Sequence, residues 1–166
     1  MATPTTLPAA FVAGAILTAD QQNNLRGAFR VLQVVSASNN TQAGSGSSTF
    51  ADTGLTATIT PQSSTSKVLV IVNQAGCYKD TTNTWVELQL LRGATVLEKF
   101  EAYAAYNNTP ASVNGVGGCG TTWLDSPATT SATTYKTQFC SGANSINAYV
   151  QVAASRSTIT LMEISA

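Results

Sequence analysis

From residue 30 onward, apolar and polar side chains alternate with a period of two, the spacing of strands with one buried face. Arg30-Val31-Leu32-Gln33-Val34-Val35 opens the series as a first strand rich in β-branched residues. Leu55, Ala57 and Ile59 then alternate with Thr56, Thr58 and Thr60, and Pro61 to Ser66 form a turn. Val68-Leu69-Val70-Ile71-Val72 is apolar throughout, which predicts a central strand covered on both faces. Val86, Leu88 and Leu90 share one face of 85–91. With 95–103, across a turn at Arg92-Gly93-Ala94, they form the clearest hairpin in the chain. Thr121 to Leu124 is a short strand. Tyr135, Thr137 and Phe139 line one face of 133–140, and Ile146, Ala148, Val150 and Val152 the inward face of the next strand. Ser157 to Ile164 closes the series. The Asn, Gly and Ser of 38–48 and the Asn, Pro and Gly of 107–120 predict loops.

About eight strands with no long helix between them exclude parallel βαβ units and predict an all-β antiparallel sandwich. The strand number, and the lack of a Cys–Trp–Cys spacing, favour a jelly roll over a seven-strand immunoglobulin-type domain. Residues 1–28 break the period. Residues 1–17 are rich in Pro, Thr and Ala and predict an extended arm. Thr18-Ala19-Asp20-Gln21 has the form of a capping box, opening a short helix over 19–28. The apolar side chains of this segment, Leu7, Phe11, Val12, Ile16, Leu17 and Leu25, fall outside the strand pattern. They are expected to dock the protein onto neighbours, with 29–166 as the exposed sandwich.

Composition narrows the function. Only 10% of the 166 residues are charged and the formal net charge is zero, so there is no basic field to collect phosphates, and nucleic acid is not an expected partner. No apolar run approaches the ~20 residues that cross a bilayer, and Met1-Ala2-Thr3-Pro4 does not open a secretory signal; manufacture in a cytoplasm is expected. The chain has no His, which removes Ser–His–Asp and Cys–His catalysis and the commonest metal ligand together. Of the eight carboxylates, Glu98 and Glu101 are near each other but three apart, so on a strand they face opposite ways. The Gly115–Gly120 run lacks the Lys and Ser/Thr of a phosphate loop and is expected to be a mobile loop. A non-enzymatic protein without catalytic, cofactor-binding or metal-binding residues is expected. Cys77, Cys119 and Cys140, odd in number and widely spaced, are expected as buried or half-buried thiols, with a single bridge as the lesser alternative. Trp85, Trp123, Tyr78, Tyr103 and Tyr106 are first of all core or cross-strand partners. Tyr78, Tyr103 and Tyr106 lie nearest to loops and are the candidates for a glycan contact.

Phe11-Val12-Ala13-Gly14-Ala15-Ile16-Leu17-Thr18-Ala19-Asp20-Gln21-Gln22-Asn23-Asn24-Leu25 resembles an N-terminal signature common in phage tail and other virion proteins. Further stretches, Thr53-Gly54-Leu55-Thr56-Ala57-Thr58-Ile59-Thr60-Pro61, Ser66-Lys67-Val68-Leu69-Val70, Leu90-Leu91-Arg92-Gly93, Leu124-Asp125-Ser126-Pro127 and Ser157-Thr158-Ile159-Thr160-Leu161-Met162-Glu163-Ile164, resemble small structural proteins of bacteriophages of actinobacteria and of marine phages, often labelled minor tail or fibre proteins. The resemblance implies a jelly roll that forms a homotrimer on the virion surface among other virion structural proteins. It carries no catalytic residues. It implies a tail, fibre or tip component, with a capsid decoration or head-fibre protein, or a carbohydrate-binding module for the host surface, as alternatives.

Overall fold

A computed structural model describes residues 31–80, 84–106, 117–143 and 146–165, with isolated positions 14, 16 and 19. All of the predicted helix over 19–28 but its first position, and five of the six docking side chains, Leu7, Phe11, Val12, Leu17 and Leu25, lie outside the described residues. Ile16 is described and is 89% exposed.

The strands are β1 (Val31–Asn39), β2 (Ala43–Ser45), β3 (Ala51–Ile59), β4 (Lys67–Lys79), β5 (Val86–Arg92), β6 (Thr95–Ala104), β7 (Gly117–Asp125), β8 (Thr133–Ser141), β9 (Ala148–Val150) and β10 (Ser157–Ile164). They form two antiparallel sheets. One has the order β3-β8-β5-β6; the other runs β1-β10-β4, with β7 on the far side of β4 and β9-β2 continuing the β10 side. The all-β expectation holds, as a two-sheet sandwich. Among the long strands, every connection except the β5–β6 hairpin passes from one sheet to the other. Val31 pairs with Ile164, so the start of β1 and the end of β10 share one end of the sandwich. The connections that leave Asn39, Lys79, Ala104 and Ser141 lie at the other.

The core is built from the inward alternate residues. Leu55, Ile59, Val68, Val70, Leu90, Tyr135, Ile159 and Leu161 form one buried cluster, and Cys77, Val86, Leu88, Phe139, Ala148 and Val150 a second. A buried polar network of Thr53, Gln74, Thr137, Gln151 and Ser157 links the two sheets. Thr137 Oγ1 donates to Gln74 Oε1 at 3.0 Å, and Gln74 Nε2 donates to Ser157 Oγ at 2.9 Å. The Thr53 and Thr137 hydroxyls are 2.6 Å apart. Pairing these groups removes most of the cost of burying them, although Gln151 Oε1 has no partner among the described residues.

The structure corrects four local expectations. The 38–48 loop contains the end of β1 and all of β2, which lies against β9; an added Cβ on Gly44 would stand 2.7 Å from the Tyr149 ring, so only glycine lets the strands meet there. The Gly115–Gly120 loop yields to strand from Gly117 onward. Gly120 sits so close to β4 that a Cβ would approach Val72 O at 2.9 Å, and the missing side chains are what allow the pairing. β4 is central, but among the described residues its outward positions are only partly covered: Leu69 is half-buried and Ile71 is 39% exposed. Finally, the strand predicted through Val152 ends at Val150, where Gln151, Ala153 and Ala154 take positive φ and a tight turn leads into β10.

Candidate functional site

Three aromatic rings gather where the connections from Lys79, Ala104 and Ser141 meet. Trp85 precedes β5, Tyr103 is near the end of β6, and Tyr106 follows it. Trp85 is held from several sides. Its indole lies on Gly142, where a Cβ would come within 2.0 Å of the ring, and Gly142 N donates to Trp85 O at 2.9 Å. The indole Nε1 donates to Glu87 Oε1 at 3.0 Å, and Glu87 also pairs with Lys99. The Tyr103 ring lies over Trp85 with centroids 5.0 Å apart and planes 38° apart. Tyr106 stands edge-on to both, at 82° to Trp85 and 69° to Tyr103, with centroids 5.8 and 5.9 Å away. The Lys79 ammonium lies 5.5 Å from the Tyr106 centroid, within cation–π range. The result is a corner with Tyr103 as floor and Tyr106 as wall, the two phenols 61% and 46% exposed.

Of the three candidate glycan contacts, Tyr103 and Tyr106 come together and Tyr78 does not. Before the bulge at Gly76 (φ +63°), Val68, Val70, Val72 and Gln74 point inward; after it, Cys77 and Lys79 do. The shift turns Tyr78 outward, where its ring meets that of Tyr149, its cross-strand partner on β9 of the same sheet, at 5.7 Å. Trp85, weighed first as a core residue, is the support of the corner. A signal for this lay in its sequence position beside a loop, but its glycine partner comes from 57 residues away.

The outer face of the β1-β10-β4-β7 sheet is the second notable surface. Val34, Met162, Leu69 and Leu124 lie in register across the four strands, flanked by Ile164 and Ile71. Val34 and Leu124 are exposed. Among the described residues of these strands, the outward positions carry a single charge, Lys67, and are otherwise apolar, Ser, Thr, Gly, Asn or Ala.

The described carboxylates are engaged with neighbours. Asp125 accepts both bonds of the Arg92 guanidinium Nη1, at 2.9 and 2.7 Å, and one from the Tyr135 hydroxyl at 2.6 Å. Burial and this carboxylate hold the Tyr135 phenol well above its ordinary range. Glu163, fully buried on β10, accepts from Gln33 Nε2 at 2.6 Å and from Gln62 N at 2.7 Å. Burial raises its pKa, but these bonds outweigh burial and hold the carboxyl below the usual range. Asp52 pairs with Lys136 and Gln138, and Asp80 accepts from Tyr149. Among the described residues no three of Cys, Asp and Glu are grouped to hold a metal ion.

All three cysteines are free thiols, Cys77 and Cys140 buried and Cys119 half-buried. Contact with Cys119, then burial, holds Cys77 far above the ordinary thiol range. Burial, with Glu87 nearby, pushes Cys140 up to about 11. No protein-family model matches the chain, and no curated protein matches it significantly.

Proposed function

We propose that the chain is a non-enzymatic structural module of a bacteriophage virion, a tail, fibre or tip component that stands with its chain ends toward the particle and its aromatic end outward. The observation that carries this reading is the polarity of the sandwich. The start of β1, to which the apolar arm is joined, pairs with the end of β10, and the connections bearing the exposed tyrosines lie at the opposite end. A module attached through residues 1–28 then presents Tyr103 and Tyr106 to the surroundings.

The sandwich is a jelly roll in this reading. Its support is the strand order: β1-β10-β4-β7 faces β3-β8-β5-β6, and successive long strands alternate between the sheets except at one hairpin. Self-association runs through the uncharged outer face. The Val34–Met162–Leu69–Leu124 row is covered by neighbouring copies around a common axis, because such faces can converge with only Lys67 to desolvate or repel. The number three comes from the resemblance to small phage proteins.

Mass spectrometry of purified particles from a phage that encodes the chain tests the reading. The chain is expected as a stoichiometric component of the particle. Its presence only in the infected-cell lysate would overturn the proposal. Light scattering of the purified chain tests the interface. A species of about three chains is expected, and Leu124→Asp is expected to give a folded monomer, because Leu124 is half exposed within its own chain, with a melting temperature lowered only by what association contributed. A wild-type monomer would refute it.

A further inference from the structure

We propose that the corner formed by Trp85, Tyr103 and Tyr106 is a carbohydrate-binding site that seats one pyranoside unit of a neutral polysaccharide. The proposal concerns the isolated domain and does not rest on the virion reading.

The corner is built rather than incidental. Exposing two large phenol rings forgoes the burial that aromatic side chains ordinarily obtain. Yet the rings are not loose. Trp85 is pinned by Gly142 beneath it and by its Nε1–H bond to Glu87, and it fixes the tilt of Tyr103. Tyr106 is oriented by edge contacts with both rings and by the Lys79 ammonium. Such preorganisation lowers the ordering cost that a ligand must overcome.

The shape and charge of the corner select the ligand class. Two exposed ring faces close to perpendicular accept a flat slab with one apolar face. A pyranose ring is such a slab: its C–H face lies on the floor while its hydroxyls meet the rim. The two phenol hydroxyls each donate and accept, which suits the hydroxyls of a sugar at the rim. A polyproline rod needs parallel ridges with a groove between them, which a right-angled corner does not provide. An anionic or phosphate-bearing ligand is disfavoured. Asp80, Glu87 and Glu101 lie on the elements around the corner, against Lys79, which is buried, and Lys99, which is paired with Glu87.

The test uses the full-length chain on a printed array of neutral polysaccharide fragments of bacterial, plant and animal origin and, on the same slides, proline-rich peptides. The oligosaccharide best retained is then titrated in solution and followed by tryptophan fluorescence, which Trp85 reports directly. Binding of a neutral oligosaccharide is expected, weakened at least about tenfold by Tyr103→Ala and by Tyr106→Ala. Both variants should melt close to the wild type because each ring keeps about half or more of its surface in water. Gly142→Ala, which drives a methyl into the indole, should weaken binding as well. Tyr149→Phe, outside the corner, should bind as the wild type does. Retention of no neutral glycan, retention of the peptides instead, or equal binding by Tyr103→Ala and the wild type would each overturn the proposal.

Discussion

Replacing Glu163 by Gln removes one charge from a site with no exposed surface while keeping its shape. The carboxylate receives two donors, Gln33 Nε2 from β1 at 2.6 Å and Gln62 N from the β3–β4 turn at 2.7 Å. An amide has one acceptor oxygen, so one donor loses its partner and faces an NH2 group instead. A hydrogen bond to a charged group is worth about 1.5–3 kcal/mol, and a buried donor left unpaired costs about 1–3 kcal/mol, so a loss of about 2–4 kcal/mol is expected. For a domain of this size that lowers the melting temperature by about 5–15 °C at pH 7. The pH dependence gives a second check. The folded pKa of Glu163 lies below its unfolded value of about 4.3, so its stabilisation is full above that value and is lost as pH falls through the folded pKa. A protonated Glu163 resembles Gln, so the two proteins should converge in stability at acid pH. Thermal unfolding followed by circular dichroism from pH 7 down to pH 3 measures both effects. A shift under about 2 °C at pH 7, or a gap between the proteins that widens toward acid, would refute the assigned role of Glu163.

Three further outcomes are expected. Joint replacement of Cys77, Cys119 and Cys140 by Ala should leave a folded protein, destabilised by no more than a few kcal/mol, because all three are free thiols in a core that needs no staple; an unfolded triple variant, seen by circular dichroism, would contradict this. Gly120→Val should destabilise by about 1–3 kcal/mol in denaturant titration, since its Cβ would meet Val72 O; wild-type stability would mean β7 does not lie against β4 there. Deletion of residues 1–28 should leave the melting temperature unchanged but prevent incorporation into particles; a truncated protein that unfolds would make the arm part of the domain core.

Where side chains carry a period of two, the sequence predicts the strand well. β8 and β10 appear within a residue of their expected bounds and β3 starts at Ala51, four residues before the expected Leu55; their inward residues Leu55, Ile59, Tyr135, Phe139, Ile159 and Leu161 are buried. Alternation fails where glycine replaces a side chain. Gly44 and the Gly117–Gly120 run resemble loop in sequence, yet their bare backbones are what β9 and β4 pack against. It also fails across the Gly76 bulge, because one extra residue exchanges the two faces and moves Tyr78 out of the group it was expected to join. The polar network of Gln74, Thr137 and Ser157 was hidden for another reason: each residue looks like ordinary surface until the fold supplies its partner. Tyr103 and Tyr106 could be found by their nearness to loops. The support from Trp85 and Gly142 could not, since it depends on a contact between distant segments.

We propose that this chain stands on the surface of a phage particle, with Val31 and Ile164 inward and the aromatic corner outward. A cryo-EM map of the particle that encodes it tests that placement most directly. The predicted result is a group of sandwich densities, joined through the outer faces of β1, β10, β4 and β7, with Val31 and Ile164 nearest the particle and Tyr103 and Tyr106 at the far tip. A particle whose surface holds no such density, or one in which Tyr103 and Tyr106 are buried against the particle, would contradict it.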